Sequence, residues 1–268
     1  MLAGQDRGTG MAYETIRLSE EDGVAVLTLA RPEVMNALNA QMRAEILHVV
    51  RAAARTARVL VLTGEGRAFC SGQDLGDRGT AATVNLERVL REEYEPMLTA
   101  IFDCPVPTIA AVNGAAAGAG ANLALAADVV IAAESAAFLQ AFTRIGLIPD
   151  AGGTYWLPRQ VGFARAMGAS LFAEPVPARQ AADWGMIWEA VPDAEFAAHW
   201  RARAVQLASG PTVAYAAVKE ALRASFGNDL PRQLSLEAEL QGRCGRTRDF
   251  REGVIAFLEK RKPTFEGR

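Results

Sequence analysis

From Cys104 to Ala127 the chain carries no charged residue. A helix that spans a bilayer needs about 20 consecutive apolar residues, so a run like this either crosses a membrane or is buried in a protein core. Its composition decides between the two. Pro105, Pro107, Asn113, Gly114, Gly118, Gly120 and Asn122 interrupt it. Proline removes a backbone donor, and Gly and Asn let the chain turn. The run reads as a buried strand, a turn and a helix. Burying it takes a sizeable core, which a chain of 268 residues, half of them hydrophobic and 22% charged, is long enough to form.

Short apolar runs alternate with helical patterns on both sides of this segment. Val24 to Leu29, Val59 to Thr63, Val106 to Val112 and Val129 to Ala132 read as strands. Asn39 to Arg55 reads as a helix with Asn39 at its N-cap. Leu86, Leu90, Tyr94, Met97 and Ile101 fall at helical spacing. Strands alternating with helices imply an α/β core with parallel pairing. From Glu195 onward the pattern is helical, with Pro211 at a first helical position and a last helix over Arg248 to Lys260. The expected organisation is a disordered lead-in over 1–10, a core over 11–208 and a helical region over 209–268. The lead-in is polar and Gly-rich without the apolar stretch of a signal peptide, and Met11 reads as a possible natural start.

Net charge is −3, which gives no basic field for nucleic acid or an anionic membrane. Lys260, Arg261 and Lys262 form one local basic spot that could hold phosphates. Cys70, Cys104 and Cys244 show neither metal nor disulfide spacing, which points to a reducing compartment, the cytoplasm. His48 and His199 lie in helical segments without a partner motif, and Cys70 has no nearby His to activate it.

Three segments could carry chemistry. Ala68-Phe69-Cys70-Ser71-Gly72-Gln73-Asp74-Leu75 follows a strand, and its small residues allow a ligand close to the backbone; it also reads as a plain loop. Asn113 to Asn122 spaces its glycines G-x-x-x-G-x-G, which fits a dinucleotide fingerprint poorly. Its N–H groups could hold a phosphate or a developing oxyanion, or its glycines could simply allow tight helix packing. In Gly146-Leu147-Ile148-Pro149-Asp150-Ala151-Gly152-Gly153-Thr154, Asp150 reads either as a helix N-cap or as a general base at a cleft edge.

In this order the three segments resemble the enoyl-CoA hydratase/isomerase (crotonase) family, and the likeness runs from about Ile16 to the last helix. The resemblance implies a crotonase (ClpP-like) fold, a spiral of β-β-α units with a helical C-terminal trimerisation region, assembled as a homotrimer or a dimer of trimers. It implies acyl-CoA thioester substrates with no separate cofactor, coenzyme A being part of the substrate. At matching positions the backbone N–H groups of Gln73 and Ala119 would form an oxyanion hole. Arg31, Ala68, Gln73, Asp74, Leu75, Gly76, Phe257 and Lys260 would bind coenzyme A, the last two often from a neighbouring subunit. Asp150 would be the catalytic acid/base, and Asn122 and Phe142 would line the acyl pocket.

The departures from the family pattern matter most. The family's hydratases carry glutamates where this chain has Asn122 and Phe142. Water addition needs one group to activate water and one to protonate a carbanion, so the resemblance favours isomerisation through Asp150. The stretches A-G-A-G-A-N-L-A-L-A-A-D, F-L-Q-A-F-T-R-I-G-L-I-P-D-A-G-G-T, W-G-M-I-W and R-E-G-V-I-A-F-L-E-K-R are most similar to the branch that isomerises ring-1,2-epoxyphenylacetyl-CoA in phenylacetate degradation. Rival readings are a hydratase, a dehalogenase or hydrolase with Asp150 as nucleophile, and a non-catalytic acyl-CoA-binding protein.

Overall fold

A computed structural model describes residues 13–76 and 85–268. The expected lead-in and Met11 lie outside these residues. The chain opens with β1 (Ile16–Glu21) and β2 (Val24–Leu29), an antiparallel pair joined at Asp22-Gly23, both with positive φ. An Asp-Gly pair in that conformation is what a two-residue hairpin turn requires.

Next come α1 (Ala40–Thr56), β3 (Val59–Gly64) and β4 (Ala68–Cys70). Asn39 caps α1 by accepting from Met42 N at 2.8 Å. A helical stretch follows: α2 (Leu86–Val89), a π turn over Leu90–Tyr94, and α3 (Glu95–Phe102). The uncharged run becomes β5 (Thr108–Val112), β6 (Ala115–Ala117) and α4 (Ala119–Leu125). After it stand β7 (Val129–Ala133), β8 (Ala137–Leu139), a 3-10 turn over Ala141–Ile145, α5 (Gly153–Val161) and α6 (Phe163–Phe172). The chain ends with β9 (Val176–Pro177), α7 (Ala178–Asp183), β10 (Glu189–Val191), α8 (Asp193–Ala208), α9 (Thr212–Ala224), α10 (Leu230–Cys244) and α11 (Arg248–Leu258). Pro211 stands just outside α9 rather than in its first turn, and the last helix stops at Leu258.

The main sheet runs β1-β2-β3-β5-β7-β10, parallel from β2 onward. A second sheet runs β4-β6-β8-β9. In the middle of the chain, strands of the first sheet are followed by short strands of the second, so the chain climbs as a spiral of β-β-α units. The corners are tight. A Cβ on Gly64 would stand 2.3 Å from Ala68 O, and one on Gly114 would stand 2.2 Å from Arg67 O. Only glycine fits where two backbones approach so closely.

Both faces of the main sheet are covered, as parallel sheets require. Along β3, Leu60 and Leu62 join the core under α1, α3 and α4, while Val59 and Val61 join Phe196, Trp200 and Ala204 of α8. Successive side chains of a strand point to opposite faces, so β3 serves two cores at once. Among the described residues no helix is long and apolar enough to cross a membrane.

Candidate active site

The site is built around α4. Gly118 precedes this helix with φ +52, and Phe142 packs over it: a Cβ on Gly118 would stand 3.7 Å from the ring's Cζ. Gly118 N–H donates to Leu139 O at 2.7 Å. Ala119 is the first helical residue, whose N–H has no partner within the helix. A Cβ on Gly72 would stand 3.4 Å from Ala119 N, which brings the Gln73 loop alongside.

Gln73 makes a single parallel bridge with Leu38. Leu38 N–H donates to Gly72 O at 2.8 Å, and Asp74 N–H donates to Leu38 O at 3.1 Å. The bridge uses the groups on either side of Gln73, so the N–H of Gln73 points the other way. Two backbone N–H groups thus flank one another at the mouth of α4. Such a pair can stabilise a developing oxyanion.

The Gln73 side chain is clamped from behind. Its Oε1 accepts from Tyr94 Oη at 2.6 Å and from Arg43 Nη1 at 3.0 Å. Arg43 is buried, donates to Leu38 O at 2.6 Å and pairs with Glu93 at 2.7 Å. Burial pushes the Tyr94 phenol well above its usual range, and the nearby Asp150 charge adds to that. Tyr94 closes the π turn. Its helical spacing in the sequence marks it only as part of a core stripe, and no motif marks Arg43 or Glu93.

Asp150 does not cap α5. The helix begins at Gly153, its N-cap is Gly152, and no side chain caps it. Instead Asp150 Oδ1 is buried without a hydrogen-bond partner. Glu65 has a similar oxygen, but its other one meets Arg17 at 3.1 Å. Burial raises the Asp150 pKa from 3.8 to about 6, because loss of water disfavours the charged form. A carboxylate tuned this way can take and return a proton near neutral pH.

Asn122 sits behind Asp150 rather than along an open pocket. It is fully buried, donates from Nδ2 to Asp150 O at 2.7 Å and accepts from Gln140 Nε2 at 2.9 Å. Gln140 is a further site residue: it lies in the F-L-Q-A-F stretch that carries the resemblance, but nothing in the sequence gave it a role. Arg31 and Asp74, both expected at coenzyme A, are bound to one another at 2.8 Å. Ala68 is buried, and its carbonyl already accepts from Asn36 and Asn113. Of that expected loop, Leu75 and Gly76 are the exposed members. Phe257 and Lys260 stand exposed at the end of α11 and just beyond it. Cys70 lies against Gly120, and burial pushes its thiol up to about 12, so it stays protonated. Among the described residues no group of three or more His, Cys, Asp or Glu is placed to hold a metal ion.

Known proteins share this architecture. The model of the enoyl-CoA hydratase/isomerase family matches residues 19–268. A Rhodobacter capsulatus protein named "Probable enoyl-CoA hydratase" is 68% identical, over 96% of this chain and all of that one. The 1,2-epoxyphenylacetyl-CoA isomerase of Escherichia coli K12 is 47% identical, over 92% of this chain and 97% of its own. The crystal structure of an enoyl-CoA hydratase from Bacillus anthracis superposes with a TM-score of 0.88 at 32% identity, covering 95% of this chain and all of that one. Matched by the family model over nearly its whole length, and folded as a β-β-α spiral that superposes on a solved hydratase, the chain belongs to the enoyl-CoA hydratase/isomerase family.

Proposed function

We propose that this enzyme is an acyl-CoA isomerase in which Asp150 carries one proton. The observation that supports it best is a carboxylate oxygen that is buried, bonded to nothing and held near neutral pKa by burial. Asp150 takes the proton from C2 of the thioester. The electrons of the broken C–H bond form C1=C2, and negative charge moves to the thioester oxygen between Gln73 N–H and Ala119 N–H. Asp150 returns the proton at C4, and the double bond moves from C3=C4 to C2=C3. Substrate and product have the same composition, so the step as drawn consumes neither water nor a second substrate.

The likeness to the E. coli epoxide isomerase extends the reading. The substrate would be ring-1,2-epoxyphenylacetyl-CoA, rearranged to the oxepin thioester in phenylacetate catabolism. Phe142, packed over Gly118, would give such a ring an apolar wall. The exposed apolar residues of α9 to α11 support association with further copies of the chain. The family resemblance would make this a trimer or a dimer of trimers, with Phe257 and Lys260 completing a neighbour's coenzyme site, and the proposed compartment is the cytoplasm.

The name of the R. capsulatus relative favours a second reading, hydration. Hydration needs two proton-handling groups. Position 142 is Phe, and the amide of Asn122 is already engaged. The test is to assay crotonyl-CoA hydration beside isomerisation of a 3-enoyl-CoA and of the epoxide thioester. Isomerisation should be the faster. Hydration at about 10 per second or more, an ordinary enzyme turnover, would replace this reading, and a trapped acyl-aspartate would point to nucleophilic attack instead.

A further inference from the structure

The Asp150 carboxylate has a buried oxygen with no partner. Something other than side-chain hydrogen bonding must set its direction. The backbone around it is strained: Ala151 has φ +49 and Gly152 has φ +84. A non-glycine residue in the left-handed region costs energy and persists only where neighbours hold it.

The neighbours that do so are two amides. Asp150 O accepts from Asn122 Nδ2 at 2.7 Å and from Gly153 N at 2.8 Å. A carbonyl oxygen can only accept, so Nδ2 must face it and Oδ1 must face away. Oδ1 then needs a donor, and Gln140 Nε2 supplies one at 2.9 Å. Both side chains are buried, Asn122 completely and Gln140 at 4% exposure. Buried amides with every end engaged are costly to disturb. Packing fixes them too, since a Cβ on Gly153 would fall 2.4 Å from Asn122 Nδ2. Asn122 lies one helical turn after Ala119, so the same helix presents the amide donor and grips the base.

We propose that Asn122 and Gln140 form a single positioning unit for Asp150. They hold its peptide, and so aim its carboxylate, without touching the carboxylate. The inference rests on Asp150 being the proton carrier. It also explains why an acidic residue does not suit position 122 in this chain. A carboxylate there would set acceptor against acceptor at Asp150 O. Asn122 has given up acid–base work in order to hold the residue that does it.

The test uses the full-length enzyme. It reads kcat and KM for a 3-enoyl-CoA, and exchange of the C2 proton of bound hexanoyl-CoA into deuterated solvent. The variants are Asn122→Leu, Asn122→Asp, Gln140→Leu, Asn122→Leu with Gln140→Leu, and Asp150→Asn alone and with Asn122→Leu. Folding is checked by circular dichroism. Asn122→Leu should lower kcat and exchange by about 10-fold or more, the scale expected for a misplaced group, with KM nearly unchanged. Gln140→Leu should show the same split with a smaller loss. Residues that act as one unit are not additive, so the double variant should be no worse than Asn122→Leu. With Asp150→Asn, the added Asn122→Leu should change nothing further.

If Asn122→Leu does not fold, Asn122→Asp reads the same contact, because it keeps the shape and the Gln140 bond but loses the donor to Asp150. A folded Asn122 variant with wild-type exchange overturns the positioning claim, and so do losses that multiply in the double variant. If Asp150→Asn itself still exchanges the proton, the underlying mechanism fails instead.

Discussion

The region around α4 and the C-terminal helices leave opposite things unfinished. At α4 the apolar groups are covered and the buried amides are paired. What remains open is polar: one oxygen of Asp150, whose backbone carbonyl is held by Asn122 of α4, and the N–H of Ala119 at the start of that helix. In α9 to α11 the polar groups are the ones settled. Lys219 and Arg223 both hold Asp128 at 2.7 Å, Lys219 also donates to Cys104 O, and Arg58 donates to Phe265 O at 3.0 Å. What remains open there is apolar: Leu222, Phe226, Leu230, Leu234, Phe257 and Leu258 are all exposed. Leu222 and Phe226 also line a cavity of about 600 Å³ with Tyr155, Trp156 and Val218. An unpartnered buried charge is a place for chemistry. Exposed apolar side chains in number are where another chain can pack.

The sharpest way to break this contrast is to finish the polar side. Asp150→Asn removes the proposed base and keeps the shape. Isomerisation should fall by about 10² to 10⁴, the range of general acid–base catalysis, and exchange of the C2 proton should stop. Wild-type exchange would mean that the open carboxylate has no chemical role. Helix capping plays no part in the fold of this variant, because Asp150 caps nothing. The fold should survive because the gripped group is the backbone carbonyl, which the substitution keeps.

Removing one amide should cost somewhat less. Ala119→Pro deletes an N–H donor, and the barrier should rise by about 2.7–4 kcal/mol. Ala119→Gly keeps the N–H and should be mild. Proline is tolerated in a helix's first turn, so the fold should hold, and a melting curve checks it. A folded Ala119→Pro protein with full activity would show that this N–H does not bind the oxyanion.

The C-terminal side breaks differently. Leu222→Glu with Phe226→Glu puts charge on the exposed apolar face. Light scattering should then show a smaller species than the wild type, while the Asp150 region keeps its structure. An unchanged mass would remove this face from the assembly.

The smallest expected effect concerns stability. The Asp150 pKa is raised from 3.8 to about 6 on folding, so the folded state binds its proton more tightly than the unfolded state. The penalty for the bare carboxylate is absent below pH 3.8, grows as pH rises and is complete above about 6. Asp150→Asn should therefore stabilise the protein by roughly 1–3 kcal/mol at about pH 8 and by almost nothing at about pH 3.5. Denaturant melts at the two pH values read the difference. The wild-type rate should fall as pH drops below about 6, because the base is then protonated.

Local chemistry alone made much of the architecture legible in the sequence. Asn39 caps α1, the Val59 strand starts where expected, and Gly72, Gly114 and Gly120 of the glycine-bearing segments fall at corners where a Cβ would collide with backbone. The cap and the strand depend on residues close together in the chain, so a sequence can state them; the glycines mark the corners, but the backbone they meet, such as Arg67 at Gly114, comes from elsewhere in the chain. The resemblance carried by three motifs pointed to the family in the same way.

What only the tertiary structure decided is who holds whom. Asn122 meets Gln140 and Asp150 across 18 and 28 positions of sequence, and Gln73 meets Tyr94 and Arg43 across 21 and 30. Each pair forms because successive turns of the spiral stack one element on another. Sequence alone left Asp150 as a cap or a base, since both uses suit the same side chain after the same proline. The fold chose by starting α5 at Gly153 and enclosing Oδ1 where no protein donor reaches it. A buried charge without a partner is a property of surroundings, and the surroundings come from parts of the chain that meet only when it folds.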